Sequence, residues 1–180
     1  MAFQKVLEAI ELLSYCVSGQ EVAEYLKKKG ICDVQVKKVQ GQNGYTDYLR
    51  ISISGIHGKS SGGTVPTLGI VGRLGGLGIR PHRMGLVSDA DGAIVAIASA
   101  LKIAAMCSKG DILPGDVIIS THICSNASIQ PKEPVPFMKS PVEMDDIREL
   151  EVALEMDAIL SVDTSKGNFL LNQKGMAITS

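Results

Sequence analysis

A chain of 180 residues, 45% hydrophobic and 21% charged, can bury a core and has the size of one domain, expected here as a single α/β domain over residues 1–180. Its 18 basic and 19 acidic residues give a formal net charge of −1, with no bulk attraction for nucleic acid or an anionic membrane, so neither is an expected partner. The four cysteines show no C-x-x-C or metal-finger spacing, no signal-like apolar core opens the chain, and the longest apolar run is too short to span a bilayer, which points to a reduced, cytoplasmic protein.

Residues 3–15 place Val6, Ile10 and Leu13 at helical spacing. Ser18 followed three positions later by Glu21 is a capping-box pattern for a second helix through Lys29, with Gly30 as its stop. Two alternating runs, residues 34–39 and 48–53, flank a turn at 41–44 and predict an antiparallel hairpin. The Gly- and Ser-rich residues 55–63 read as a mobile loop. Gly58-Lys59-Ser60 inside it is not a phosphate-binding loop, because Ile53 stands where that motif needs glycine and no helix follows.

Residues 67–72 read as a buried strand, 73–85 as a glycine-rich crossing, and 92–108 as a buried helix with Asp89 and Asp91 at its entrance. The crossing misses the dinucleotide fingerprint, since Pro81 stands where glycine or alanine is required. A turn at 110–116 leads to a β-branched strand over 117–121 that ends at His122. A proline-rich connection (131–142), a helix (144–155) and a buried strand (157–162) running into Asp163 complete the order. Strand, helix, strand, helix, strand predicts a mixed, mostly parallel sheet flanked by helices. Residues 167–180 alternate weakly and stop without a cap, which reads as a domain incomplete at its C-terminal end.

Parallel sheets take ligands beyond the carboxyl ends of their strands, which places the residues after Val71, Thr121 and Val162 near one crevice, together with Asp89. Arg73, Arg80 and Arg83 share one loop, where guanidinium groups and the N–H groups of glycines such as Gly75 and Gly76 can clasp an anion. Structural roles compete throughout. Asp89 can cap the helix, Asp91 can sit on the helix dipole, Asp163 can serve a turn and His122 can be a hydrogen-bonded strand-end residue. Cys124 reads as an inert thiol.

Taken in order, the pieces resemble the co-catalytic zinc aminopeptidases, through Ser18-Gly19-Gln20-Glu21-Val22-Ala23-Glu24-Tyr25-Leu26, the hairpin, Asp89 at a helix entrance, and the strand ending in Asp163. Gly72-Arg73-Leu74-Gly75-Gly76, Leu86-Val87-Ser88-Asp89-Ala90-Asp91-Gly92-Ala93 and Val162-Asp163-Thr164 resemble a microbial family known as domain of unknown function 1177, whose members run past residue 180. The peptidase resemblance implies a zinc-aminopeptidase-like fold, with Asp89 where a bridging carboxylate stands and Asp163 where a single-metal ligand stands. It departs where the peptidases carry His-x-Asp and this chain has Arg73-Leu74-Gly75, and where their Glu-Glu is replaced by residues from His122 onward. Hydrolysis by metal-bound water needs a base to take its proton.

Two readings stay open. One is an altered metal-assisted hydrolase of a small amide or amino-acid-like substrate, with one divalent ion, zinc or manganese, on Asp89, His122 and Asp163. Arg73, Gly75, Gly76, Arg80 and Asp91 would then hold a small, anionic ligand. The other is a non-catalytic small-anion-binding or assembly protein that has lost the metal. Self-association as a homo-oligomer is left open.

Overall fold

Amphipathic spacing produces the first two helices, α1 (Ala2–Leu13) and α2 (Gly19–Lys28), which bury Ala9, Leu13, Val22 and Leu26. The capping box forms as its residue types require: the Ser18 hydroxyl accepts from the Glu21 N–H at 3.2 Å, and Glu21 Oε2 accepts from the Ser18 N–H at 2.7 Å. Asp47 accepts from the Gly19 N–H at 2.9 Å and so ties the helix entrance to the sheet. Gly30, at φ 92°, ends the helix in a conformation that glycine adopts without strain.

The hairpin is β1 (Asp33–Gly41) and β2 (Gly44–Ile53), antiparallel, with Gly41 opposite Gly44. Along the chain follow β3 (Leu68–Gly72), β4 (Gly76–Arg80), β5 (Arg83–Leu86), α3 (Asp91–Cys107), β6 (Val117–Gln130), β7 (Phe137–Lys139), α4 (Met144–Glu151) and β8 (Ala158–Val162). The computed structural model describes residues 1–14, 17–73, 76–80, 83–86, 90–130 and 137–163; Gly75, Asp89 and the expected unfinished end at 167–180 lie outside them. Strand order is β1-β2-β6-β3-β8, with β6, β3 and β8 mutually parallel and β1 and β2 antiparallel. The sheet is therefore mixed and the class α/β, as the element order predicts.

Strand alternation divides the core in two. Leu49, Ile51, Ile119 and Ile123 face α1, α2 and α3, where Leu26, Ile97 and Leu101 close the larger core. Tyr48 and Val39 face the other way, against Ile147 of α4 and Val142. Each buried large aliphatic contributes roughly 1.5–3 kcal/mol, so most of the apolar stabilisation lies on the three-helix side. Among the described residues no helix is long and apolar enough to cross a membrane.

Several expectations are corrected. Residues 55–63 are pinned: they contain a 3-10 turn, Lys59–Ser61, and the Asp116 carboxylate accepts from the N–H groups of Gly55 and Ser60 and from the Ser60 hydroxyl at 2.8–2.9 Å. The crossing over 73–85 contains the antiparallel pair β4 and β5, with β4 parallel to the outer part of β6. Glycines at alternate positions hid that pattern, having no side chain to mark a face. β6 runs 14 residues, far beyond Thr121, because β4 and β7 pair with its outer part. α4 stops at Glu151, since Val152 is already extended on its way to β8. β8 is half-exposed because it is last in the strand order among the described residues.

Candidate functional site at the carboxyl edge of the parallel strands

Register brings three sequence-predicted residues level with one another. Gly72 pairs with Thr121 on one side and Val162 on the other, so Arg73, His122 and Asp163 each follow one of three neighbouring parallel positions. The Arg73 N–H donates to the Val162 carbonyl at 2.9 Å, and the Thr121 hydroxyl donates to the Gly72 carbonyl at 2.9 Å, fixing the edge where the side chains depart. His122 is not at a strand end as expected. It lies within β6, opposite Tyr48 of β2, and is 3% exposed.

Alternation then selects the companion that sequence reasoning missed. Ser120 and His122 share the face of β6 that looks toward α4, and the Ser120 hydroxyl donates to the Glu151 carbonyl at 2.8 Å. The Tyr48 hydroxyl donates to the Leu150 carbonyl, so the last turn of α4 is held on both sides. Glu151, 3% exposed, thereby enters the cluster, its Oε2 at 3.4 Å from an Arg73 guanidinium nitrogen. One signal was available: Glu151 is four residues after buried Ile147, on the inward stripe of an amphipathic helix. A carboxylate on that stripe marks itself as unusual.

The helix entrance approaches the same edge. A Cβ at Gly92 would overlap the Arg73 carbonyl oxygen, and one at Gly72 would overlap the Gly92 carbonyl oxygen, so glycine at both positions lets the start of α3 lie on the end of β3. Asp91, the first residue of α3, is exposed, and the cap position is Ala90, which makes no side-chain cap bond. Gly76 opens β4 beside Cys124, but Arg80 is at its far end, about 13 Å further along at the usual strand rise.

Burial and charge set the protonation states. Burial, and then the Arg73 charge, hold the His122 imidazole down to about 4, so the ring is neutral near pH 7. Burial pushes the Glu151 carboxyl above its ordinary value; Arg73 pulls it back, and Asp163 adds to the rise. Three buried atoms of the cluster, Arg73 Nε, His122 Nε2 and Glu151 Oε1, have no hydrogen-bond partner among the described residues. An unpaired buried polar group costs about 1–3 kcal/mol, so three cost roughly 3–9, comparable with the whole net stability of a domain, about 5–15.

The donor set departs from that of the expected metal centre. His122 Nε2 and Glu151 Oε1 are suitable atom types, but the Arg73 guanidinium places a permanent positive charge beside that carboxylate. Among the described residues no group of three His, Cys, Asp or Glu side chains is arranged to hold a metal ion. Arg73, His122, Glu151 and Asp163 therefore do not by themselves fit a zinc or manganese centre.

Residues 37–180 match the model of a family described as "Protein of unknown function (DUF1177)". No curated protein matches the chain. Several solved structures are similar to it, among them the following two. The bottromycin maturation enzyme BotP in complex with Mn aligns at 17% identity and a TM-score of 0.46, over 71% of this chain and 31% of that one. The Caenorhabditis elegans leucine aminopeptidase (LAP1) aligns at 11% identity and 0.44, over 92% of this chain and 42% of that one. The chain thus spans less than half the length of either.

Proposed function

The chain belongs to the DUF1177 family of proteins of unknown function, and we propose that its carboxyl-edge cluster binds a small amide or amino-acid-like molecule and performs acid–base chemistry on it. The carrying observation is the set of three unpartnered buried atoms in one charge-coupled cluster. That cost is offset when a bound molecule supplies the missing partners.

Arg73, whose side chain is 30% exposed, donates through its buried Nε to a ligand oxygen. Glu151, whose carboxyl is raised above its ordinary value by burial, is the group that exchanges the proton. Asp163 and Asp91, both exposed, stand at the rim, and Asp163 favours a ligand carrying a donor over a bare anion. Metal assistance, as the peptidase resemblance implies, depends on Asp89 adding a ligand to His122 and Asp163, against the Arg73 charge.

Calorimetric titration of the purified chain with succinamate, a small anionic primary amide, tests the proposal. Binding should weaken at least about tenfold in both Arg73→Met and Glu151→Gln, one lost charged hydrogen bond being worth that much. Binding that both variants leave intact overturns it. Zinc and manganese content of the same preparation, compared with Asp89→Ala, separates the two readings: stoichiometric metal lost in the variant supports the hydrolase, and ammonia release from succinamate then measures it.

A further inference from the structure

Thr46 is fully buried in β2, with its hydroxyl oxygen 3.3 Å from His122 Nδ1 and 3.1 Å from the Ile123 carbonyl oxygen. A hydroxyl carries one hydrogen, and a carbonyl oxygen can only accept. The Thr46 hydrogen is therefore committed to Ile123, and the bond between Thr46 and the ring is made with the ring as donor. A neutral imidazole carries one N–H, so a proton on Nδ1 leaves Nε2 as a bare lone pair. Nε2 is the ring atom that finds no partner among the described residues.

We infer that Thr46 is a positioning residue that locks His122 in the Nδ1–H tautomer, so that Nε2 accepts a hydrogen bond from the ligand and the site selects molecules carrying an N–H donor. The burial and nearby guanidinium that keep the ring neutral agree with this. Glu151 Oε1 is a second acceptor and Arg73 Nε a donor. A primary carboxamide matches this set, offering two N–H groups and one carbonyl oxygen, whereas a carboxylate offers no hydrogen to either acceptor. The ligand half of the inference rests on the function proposed above; the tautomer half does not.

Histidine-selective 15N NMR of the full chain reads the tautomer directly, and the signal lost in His122→Gln assigns it among the three histidines. The expected result at pH 7 is the Nδ1–H pattern, kept in Thr46→Ser and lost in Thr46→Val. A wild-type Nε2–H pattern overturns the inference without any variant needing to fold, and so does a folded Thr46→Val with an unchanged pattern. For the ligand half, succinamate and succinate differ at one group. Succinamate should shift the Nε2 resonance and bind roughly tenfold more tightly than succinate, and Thr46→Val should remove that preference. Equal affinity for the two overturns the selectivity while leaving the site. Binding of neither, with the expected tautomer present, overturns the proposed function and the selectivity with it and supports Thr46 as tautomer-setting alone.

Discussion

The two edges of the parallel strands treat charge in opposite ways. At the amino edge, Asp116 immediately precedes β6 and Asp157 immediately precedes β8. Asp116 accepts three hydrogen bonds, and the Asp157 carboxylate accepts from the Thr67 N–H at 2.7 Å and from Lys59. Burial works against the Asp116 charge, yet the N–H groups of Ser60 and Gly55 and the Ser60 hydroxyl outweigh it and hold the carboxyl below its ordinary value. At the carboxyl edge, Glu151 is as deeply placed, pairs with the Arg73 guanidinium and feels the Arg148 charge, and is still held above its ordinary value by burial. A carboxylate with its donors supplied is part of the scaffold; one left short of donors is where a ligand can supply them.

Removing the satisfied group should cost most. Asp116→Ala strands two backbone N–H groups and a hydroxyl, for a loss of about 3–5 kcal/mol in urea unfolding at pH 7. The sign with pH follows from its lowered folded value: the Asp116 contribution is present above the unfolded carboxyl value, about 3.9, and is lost as pH falls through the folded one. A variant as stable as wild type would show that residues 55–63 stay in place without it, and the contrast between the edges would dissolve.

Gly92→Ala should come next, at about 2–3 kcal/mol, because the added methyl meets backbone at Arg73 and cannot be accommodated by turning a side chain. It tests whether the placement of Arg73 depends on α3: succinamate affinity should fall along with the unfolding midpoint. A stability loss with unchanged affinity would detach the helix entrance from the site.

How much of this was legible depended on the range over which each residue's partner lies. α2 could be read because Ser18 and Glu21 satisfy each other within one turn, and the hairpin because side-chain alternation and two glycines are local. The levelling of Arg73, His122 and Asp163 was legible through the topological rule for parallel strands. Glu151 was not, because its partners Arg73, just after β3, and Ser120, in β6, are far away in sequence. His122 reads as a strand end because His-Ile-Cys-Ser-Asn carries little β-branched signal, while what extends β6 there is pairing with β4. Asp116 reads from the sequence as a turn residue, since nothing nearby announces that Gly55 and Ser60 will reach it.

Glu151→Gln should have the opposite sign to Asp116→Ala and a smaller size. A carboxyl raised in the folded state contributes stability fully below its unfolded value, about 4.3, and loses it as pH rises through the folded value. The amide removes that loss, so the variant should equal or exceed wild type by up to about 1 kcal/mol at pH 8, since the Arg73 side chain is partly exposed and is not left as a fully buried charge. Succinamate binding should nonetheless fall. Destabilisation at pH 8 comparable to that of Asp116→Ala would make Glu151 scaffold and leave the carboxyl edge without a distinguishing feature.

The smallest effect belongs to Lys59→Met, and it sharpens what satisfaction means at the amino edge. Lys59 and Asp157 form an ion pair with both side chains more than two-fifths exposed, at 44% and 41%, so water competes for each charge and salt screens the pair. The melting midpoint should move by no more than about 2 °C and should not respond to added salt. The Thr67 N–H bond to Asp157 does not need the lysine, so the backbone entering β3 stays held when the ammonium is gone. A larger shift that salt reproduces in wild type would mean that net charge, and not the count of N–H donors, sets the difference between the two edges.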